Sequence, residues 1–159
     1  MKRLFLTSSG LTYIKEFLRS DPSASRLLFI PTAGNLDSDP LWIDKDRDIL
    51  SKMGFQITEL DIAHADKQTQ EQALAQADIV YIAGGNTFYL LQQLRDSGFD
   101  QRLNDYVNDG GLYAGASAGA LVVGADIRPV ETMDDPAKAP SLASTEALGF
   151  VSIVPIPHS

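Results

Sequence analysis

An α/β sandwich built on a mainly parallel sheet is the fold class this sequence predicts, and three observations predict it. Short apolar runs rich in β-branched and aromatic residues recur along the 159 residues. Segments with helical spacing separate most of them, and such alternation marks an α/β chain. The runs themselves, "IVYIAG" at 79 to 84 above all, are apolar at successive positions. That pattern belongs to strands covered by helices on both faces of a parallel sheet.

In chain order, the strand candidates are "RLFLTSS" (3 to 9), "RLLFIPTA" (26 to 33), "FQITELDI" (55 to 62), "DIVYIAGG" (78 to 85), "GGLYAGA" (110 to 116) and "FVSIVPI" (150 to 156). The helix candidates between them are "LTYIKEFLRS", "PLWIDKDRDILSKMG", "TQEQALAQA", one long segment "FYLLQQLRDSGFDQRLNDYVNDG", and the short "AGALVVG". Because parallel crossovers are right-handed, a doubly wound, flavodoxin-like three-layer arrangement is the expected topology. No repeat or linker divides the chain, so residues 1 to 159 are expected to form a single domain. The proline- and acid-rich stretch from Pro129 to Pro140, "PVETMDDPAKAP", reads as a loop leaving the sheet.

Composition narrows the functions. The 21 Asp and Glu outnumber the 13 Lys and Arg, and no basic stripe is present to neutralise a phosphate backbone, which argues against nucleic acid. The absence of cysteine excludes disulfides, thiolate metal sites and a cysteine nucleophile. No apolar run approaches a membrane span, and "MKRLFLTSSG" lacks a signal-peptide core. A cytoplasmic protein is the expectation.

Within "GLYAGASAGA" (111 to 120), "GASAG" fits Gly-x-Ser-x-Gly, with Ser117 at the centre. A nucleophile on a sharp strand-to-helix turn needs small neighbours, because its backbone is strained and other chain passes close by. The alternative is a serine in a turn where a helix merely packs closely on a sheet. A second glycine turn, "AGGNTFYLL" (83 to 91), also follows a strand candidate. Gly84 and Gly85 permit close backbone approach, while Asn86 or Thr87 is suited to cap the next helix. Free amides at such turns hold anions or polarised carbonyl oxygens. A serine hydroxyl also needs a base, and only His64 and His158 are available. His64 reads as a solvated loop residue. His158 reaches the serine's edge of the sheet if 150 to 156 is a strand. There is no Gly-Lys-Ser/Thr phosphate loop and no Gly-x-Gly-x-x-Gly, which argues against a nucleotide-binding module.

Taken together, "LFIPTA" (28 to 33), "AGGNTF" (83 to 88), "GLYAGASAGA" (111 to 120), "ETMDDP" (131 to 136) and "IPHS" (156 to 159) resemble the peptidase E family of serine dipeptidases, in order and over essentially the whole chain. The resemblance implies a flavodoxin-like fold akin to class I glutamine amidotransferases. It also implies cleavage of dipeptides with an amino-terminal aspartate, without metal or other cofactor. It makes Ser117 the nucleophile and His158 the general base, Gly85 and Ala118 the oxyanion amides, and Asn86 a substrate-binding residue. Family members continue beyond the histidine, where they carry the acid of the triad. The expectation is therefore a shortened chain that self-associates through 150 to 156 or takes up a complementing carboxyl-terminal fragment. The competing expectation is an inactive family member that binds a small ligand or a partner chain.

Overall fold

The computed structural model describes residues 1–156. Five strands, β1 (Arg3–Thr7), β2 (Arg26–Ile30), β3 (Gln56–Glu59), β4 (Ile79–Ile82) and β5 (Leu112–Ala116), form one sheet in the order β1-β5-β4-β2-β3. All four pairings are parallel. From the β3 edge inward, β2 to β5 follow the start of the flavodoxin order, 2-1-3-4. β1, first in the chain, lies beside β5 where a fifth strand completes that order.

The helices are α1 (Ile14–Leu18), α2 (Leu41–Lys52), α3 (Lys67–Gln76), α4 (Thr87–Asp96), α5 (Phe99–Asn108) and α6 (Ala118–Leu121). Side chains alternate across each strand, so one apolar run feeds two cores. Leu27, Phe29, Ile79, Tyr81 and Ala114 pack against Ile14, Leu18, Ile43 and Leu50 of α1 and α2. On the other face, Leu28, Ile30, Val80, Ile82 and Tyr113 pack against α3 to α6, through Leu74, Leu90, Leu94, Leu103 and Leu121. The result is three layers, as the unbroken apolar strands require.

Two expectations about elements need correction. The long helical segment is two helices, because Gly98 adopts φ 69° between them, a left-handed conformation that glycine adopts without penalty and that ends a helix. The larger correction concerns 150 to 156, which is not a strand but a series of bends and irregular chain. Backbone bonds of this segment and of the two residues before it run to the chain just after α6 instead of to the sheet: Leu148 N–H to Val122 O (2.8 Å), Gly149 N–H to Gly124 O (2.9 Å), Val151 N–H to Val123 O (3.1 Å) and Ala125 N–H to Ile153 O (3.4 Å). Phe150 is buried and meets the Tyr113 ring edge-on at 6.0 Å. Pro155 has no N–H with which to pair. The segment closes over α6, and the sheet edge expected there does not exist.

Candidate active site

The Ser117 turn follows from its glycines. A side chain at Gly115 would place its Cβ 2.3 Å from Gly119 O, and one at Gly119 would place it 2.2 Å from Ile82 O. Only hydrogen at both positions lets α6 lie so close to the carboxyl ends of β4 and β5. Tyr113, buried beneath, donates its hydroxyl to Gly119 O at 2.5 Å. Ser117 itself sits at φ 50°, ψ −110° as the residue that starts α6. Among the described residues only Arg19 is another non-glycine with positive φ. The turn is held open by Ser117 N–H donating to Thr7 O at the end of β1 (3.0 Å) and by Ser117 O accepting from Ala120 and Leu121 N–H (2.9 Å each).

The second turn stands directly opposite. A Cβ on Gly84 would lie 3.2 Å from Ser117 Cβ and 3.8 Å from its Oγ. Gly85 has φ 150°, and a Cβ there would fall 2.0 Å from Ala33 O, so this position also admits only glycine. Asn86 N–H donates to that same Ala33 O at 2.9 Å. The amides of Gly85 and Ala118 donate to no acceptor among the described residues. For Ala118 this is the ordinary condition of a first-turn amide.

Asn86 is committed to structure. Its Oδ1 accepts from Tyr89 N–H at 2.9 Å, capping α4, and its Nδ2 donates to Asp135 O at 3.1 Å. Asp134 caps the same helix from outside, its Oδ2 accepting from Thr87 N–H (2.9 Å) and Thr87 Oγ1 (2.6 Å). The acidic stretch that reads as a departing loop is thereby folded back beside the serine as two short 3-10 turns, Arg128–Thr132 and Pro136–Lys138.

Around these turns lies a cavity of about 720 Å³, within the range of small-molecule sites. Its wall comes from Ser8 and Gly10 after β1, from α2, from Gly84 to Asn86, from Ala116 and Ser117, and from Met133 to Asp135. All but α2 and the 133–135 stretch are carboxyl ends of strands, the position at which open parallel sheets bind ligands. Four α2 residues that carry no motif, Trp42, Lys45, Asp46 and Ile49, also face it. Trp42 donates its indole N–H to Gly84 O at 3.0 Å and so braces the second turn. Lys45 is the one cation on the wall among the described residues. Asp46 accepts a hydrogen bond from Tyr81 Oη at 2.5 Å. Burial raises the Asp46 carboxyl above its ordinary range, with the Tyr81 bond and Lys45 only partly opposing it. The spacing of α2 indicated a buried face; which of its polar residues reach the cavity depends on how the helix lies on the sheet.

His64 is exposed and lies next to Asp61, its Nδ1 2.7 Å from Asp61 Oδ2; it is not on the cavity wall. His158 lies outside the described residues. No helix among the described residues is long and apolar enough to cross a membrane.

Fold and turn together define an α/β protein with a strained serine at the ligand-binding end of its sheet. Comparison with known proteins narrows the class. The model of peptidase family S51 matches residues 4–159. An uncharacterized peptidase of Listeria innocua, Lin0382, is 35% identical over 160 residues, covering 99% of this chain and 77% of that protein. Peptidase E of Haemophilus influenzae is 32% identical over 144 residues, covering 84% of this chain and 64% of that one. The crystal structure of a candidate peptidase E from Listeria monocytogenes superposes with a TM-score of 0.95 at 34% identity, over 100% of this chain and 80% of that chain. A peptidase from an acI-B1 actinobacterium gives a TM-score of 0.72 at 27% identity, covering 98% of this chain and 67% of the other. The chain belongs to peptidase family S51, the peptidase E family, and by that membership is a peptidase.

Proposed function

We propose that the chain acts as a serine dipeptidase on small peptides with an amino-terminal aspartate, in the cytoplasm and without a metal. The observation that carries this is the pairing of the strained Ser117 with the Gly84–Gly85 turn across one cavity. Ser117 Oγ attacks the peptide carbonyl carbon while its proton passes to His158. The carbonyl electrons move onto oxygen, which the Gly85 and Ala118 N–H groups stabilise. Collapse of this intermediate breaks the C–N bond as His158 returns the proton to the leaving amine. Water, deprotonated in turn by His158, then cleaves the acyl ester and regenerates Ser117.

Lys45 supplies the cation for a substrate carboxylate, and Asn86 contributes by holding the second turn against 135, not through a free side chain. No residue of 1 to 159 is assigned as the acid that orients His158. The wall between Trp42, Ile49 and Met133 offers apolar surface for the residue that follows the aspartate.

The test is hydrolysis of Asp-X dipeptides in buffer containing a chelator. Turnover is expected to persist there, to fall to the uncatalysed level in Ser117→Ala, and to show a raised KM in Lys45→Met. Chelator-sensitive hydrolysis, or full activity in the alanine variant, overturns the mechanism. Saturable binding of such peptides with no turnover would favour a ligand-binding member of the family instead.

A further inference from the structure

We infer that Asp61, which lies off the cavity in the loop after β3, is a positioning residue for the Gly85 amide. This rests on the proposal that the Gly85 N–H faces the developing oxyanion, and it reaches that amide through two measured steps. The first is a set of hydrogen bonds that converge on one carboxylate. Asp61 Oδ1 accepts from Thr32 Oγ1 (2.9 Å) and from Ala63 N–H (3.1 Å). Asn35 Nδ2 donates to both oxygens, at 3.2 and 3.0 Å. His64 Nδ1 lies 2.7 Å from Oδ2. Thr32 Oγ1 also accepts the buried Ile62 N–H at 3.1 Å. Burial alone would raise the Asp61 carboxyl, but the bonds from His64, Thr32, Ala63 and Asn35 outweigh it and hold it below the usual carboxylate range.

These bonds are not needed to join the strands, since β2 and β3 are already paired from Arg26 to Phe29. What they fix is the turn Thr32–Gly34, gripped on both sides of Ala33. The second step runs from that turn. Ala33 is fully buried, its carbonyl accepts Asn86 N–H at 2.9 Å, and its O, its C and Gly34 N stand 2.0, 2.2 and 2.6 Å from where a Cβ on Gly85 would be. The turn is therefore the wall against which the Gly85 peptide rests. If Thr32 and Asn35 are released, Ala33 can withdraw and the Gly85 peptide can rotate. Asn35 Nδ2 also reaches Tyr89 Oη at 3.5 Å, tying the same turn to α4 just beyond Asn86.

A positioning role predicts loss in the transition state with ground-state binding intact. Removing an oxyanion donor outright costs about 10²–10³ in kcat, and displacing one by about 1 Å costs up to roughly 100-fold. Asp61→Leu is expected to lower kcat for Asp-X hydrolysis by about 10- to 100-fold with KM changed less than about threefold. Asp61→Asn keeps an acceptor for Thr32 and should recover most of the loss. Asn35→Ala, which spares the carboxylate, should give an intermediate loss if the leucine variant does not fold. Affinity for a peptide aldehyde should fall in proportion to kcat, while affinity for free aspartate holds. A readout that needs no turnover separates this inference from the proposed chemistry. In ¹⁵N–¹H spectra the Gly85 and Asn86 amides should shift in Asp61→Leu and Asn35→Ala, and Asn86 should exchange its proton faster. Unmoved Gly85 and Asn86 amides in both variants overturn the inference, whatever the activity. Moved amides support it, even if Ser117→Ala shows that turnover does not depend on the serine.

Discussion

Gly115→Ala tests whether the serine turn is built by steric exclusion. Gly115 lies in β5 at an ordinary strand conformation, so adding a methyl incurs no penalty from φ, and the loss of unfolded-state freedom would by itself stabilise by about 0.4–1 kcal/mol. Against this, the new Cβ would stand 2.3 Å from Gly119 O, 2.5 Å from Gly119 C and 2.9 Å from Ala120 N. All three are backbone atoms of α6 and cannot rotate aside. Restoring ordinary contact requires α6 to lift from the sheet by roughly 1 Å, and overpacking of this kind costs about 1–3 kcal/mol. For a domain of this size, that lowers Tm by roughly 3–9 °C. Because α6 carries the Ala118 amide and follows directly on Ser117, the same shift should reduce kcat for Asp-X hydrolysis by up to about 100-fold. Gly110→Ala is the control: its φ of 95° strains any side chain, but nothing lies within 4 Å. It should cost stability of about 1 kcal/mol and leave kcat unchanged. Differential scanning calorimetry and initial rates on the two variants decide the matter. A Gly115→Ala protein with unchanged Tm and rate would refute the steric account of the turn.

Two further outcomes are expected. Ser117→Gly should be more stable than Ser117→Ala by about 1 kcal/mol and so unfold at a higher temperature, because both lack the hydroxyl but only glycine relieves the φ 50°, ψ −110° backbone; equal Tm values would mean the turn stores no strain. Asp61, held below its ordinary pKa by its hydrogen bonds despite burial, contributes stability that is present above the usual carboxylate range and lost as pH falls through its lowered native value. Thermal melts from pH 6 to 3 should therefore fall more steeply for the natural protein than for Asp61→Asn, and parallel curves would count against that contribution.

Much of this protein is determined locally and is legible in its sequence. The runs that begin at Arg26, Ile79 and Leu112 are central strands, buried on both faces along nearly all their length, while those that begin at Arg3 and Gln56 are the more exposed edge strands. The two glycine turns are legible too, since Gly85, Gly115 and Gly119 stand where the chain has room for nothing larger. The run from 150 to 156 has equal β character and is not a strand. Val151 N–H and Ile153 C=O found partners on Val123 and Ala125, and propensity does not specify which neighbour a backbone bonds. The break at Gly98 lay inside one continuous helical period, because periodicity reports the buried face and not the continuity of the axis. The bonds of Trp42 to Gly84 and of Asp46 to Tyr81, the folding back of Asp134 and Asp135 onto Thr87 and Asn86, and the grip of Asp61 on Thr32 join residues 29 to 49 positions apart in the chain. No local pattern encodes such pairs. They exist because the parallel order of the sheet brings the carboxyl ends of β1, β2, β3, β4 and β5 to one edge, so residues distant in sequence share a few ångströms of space only once the tertiary structure has formed.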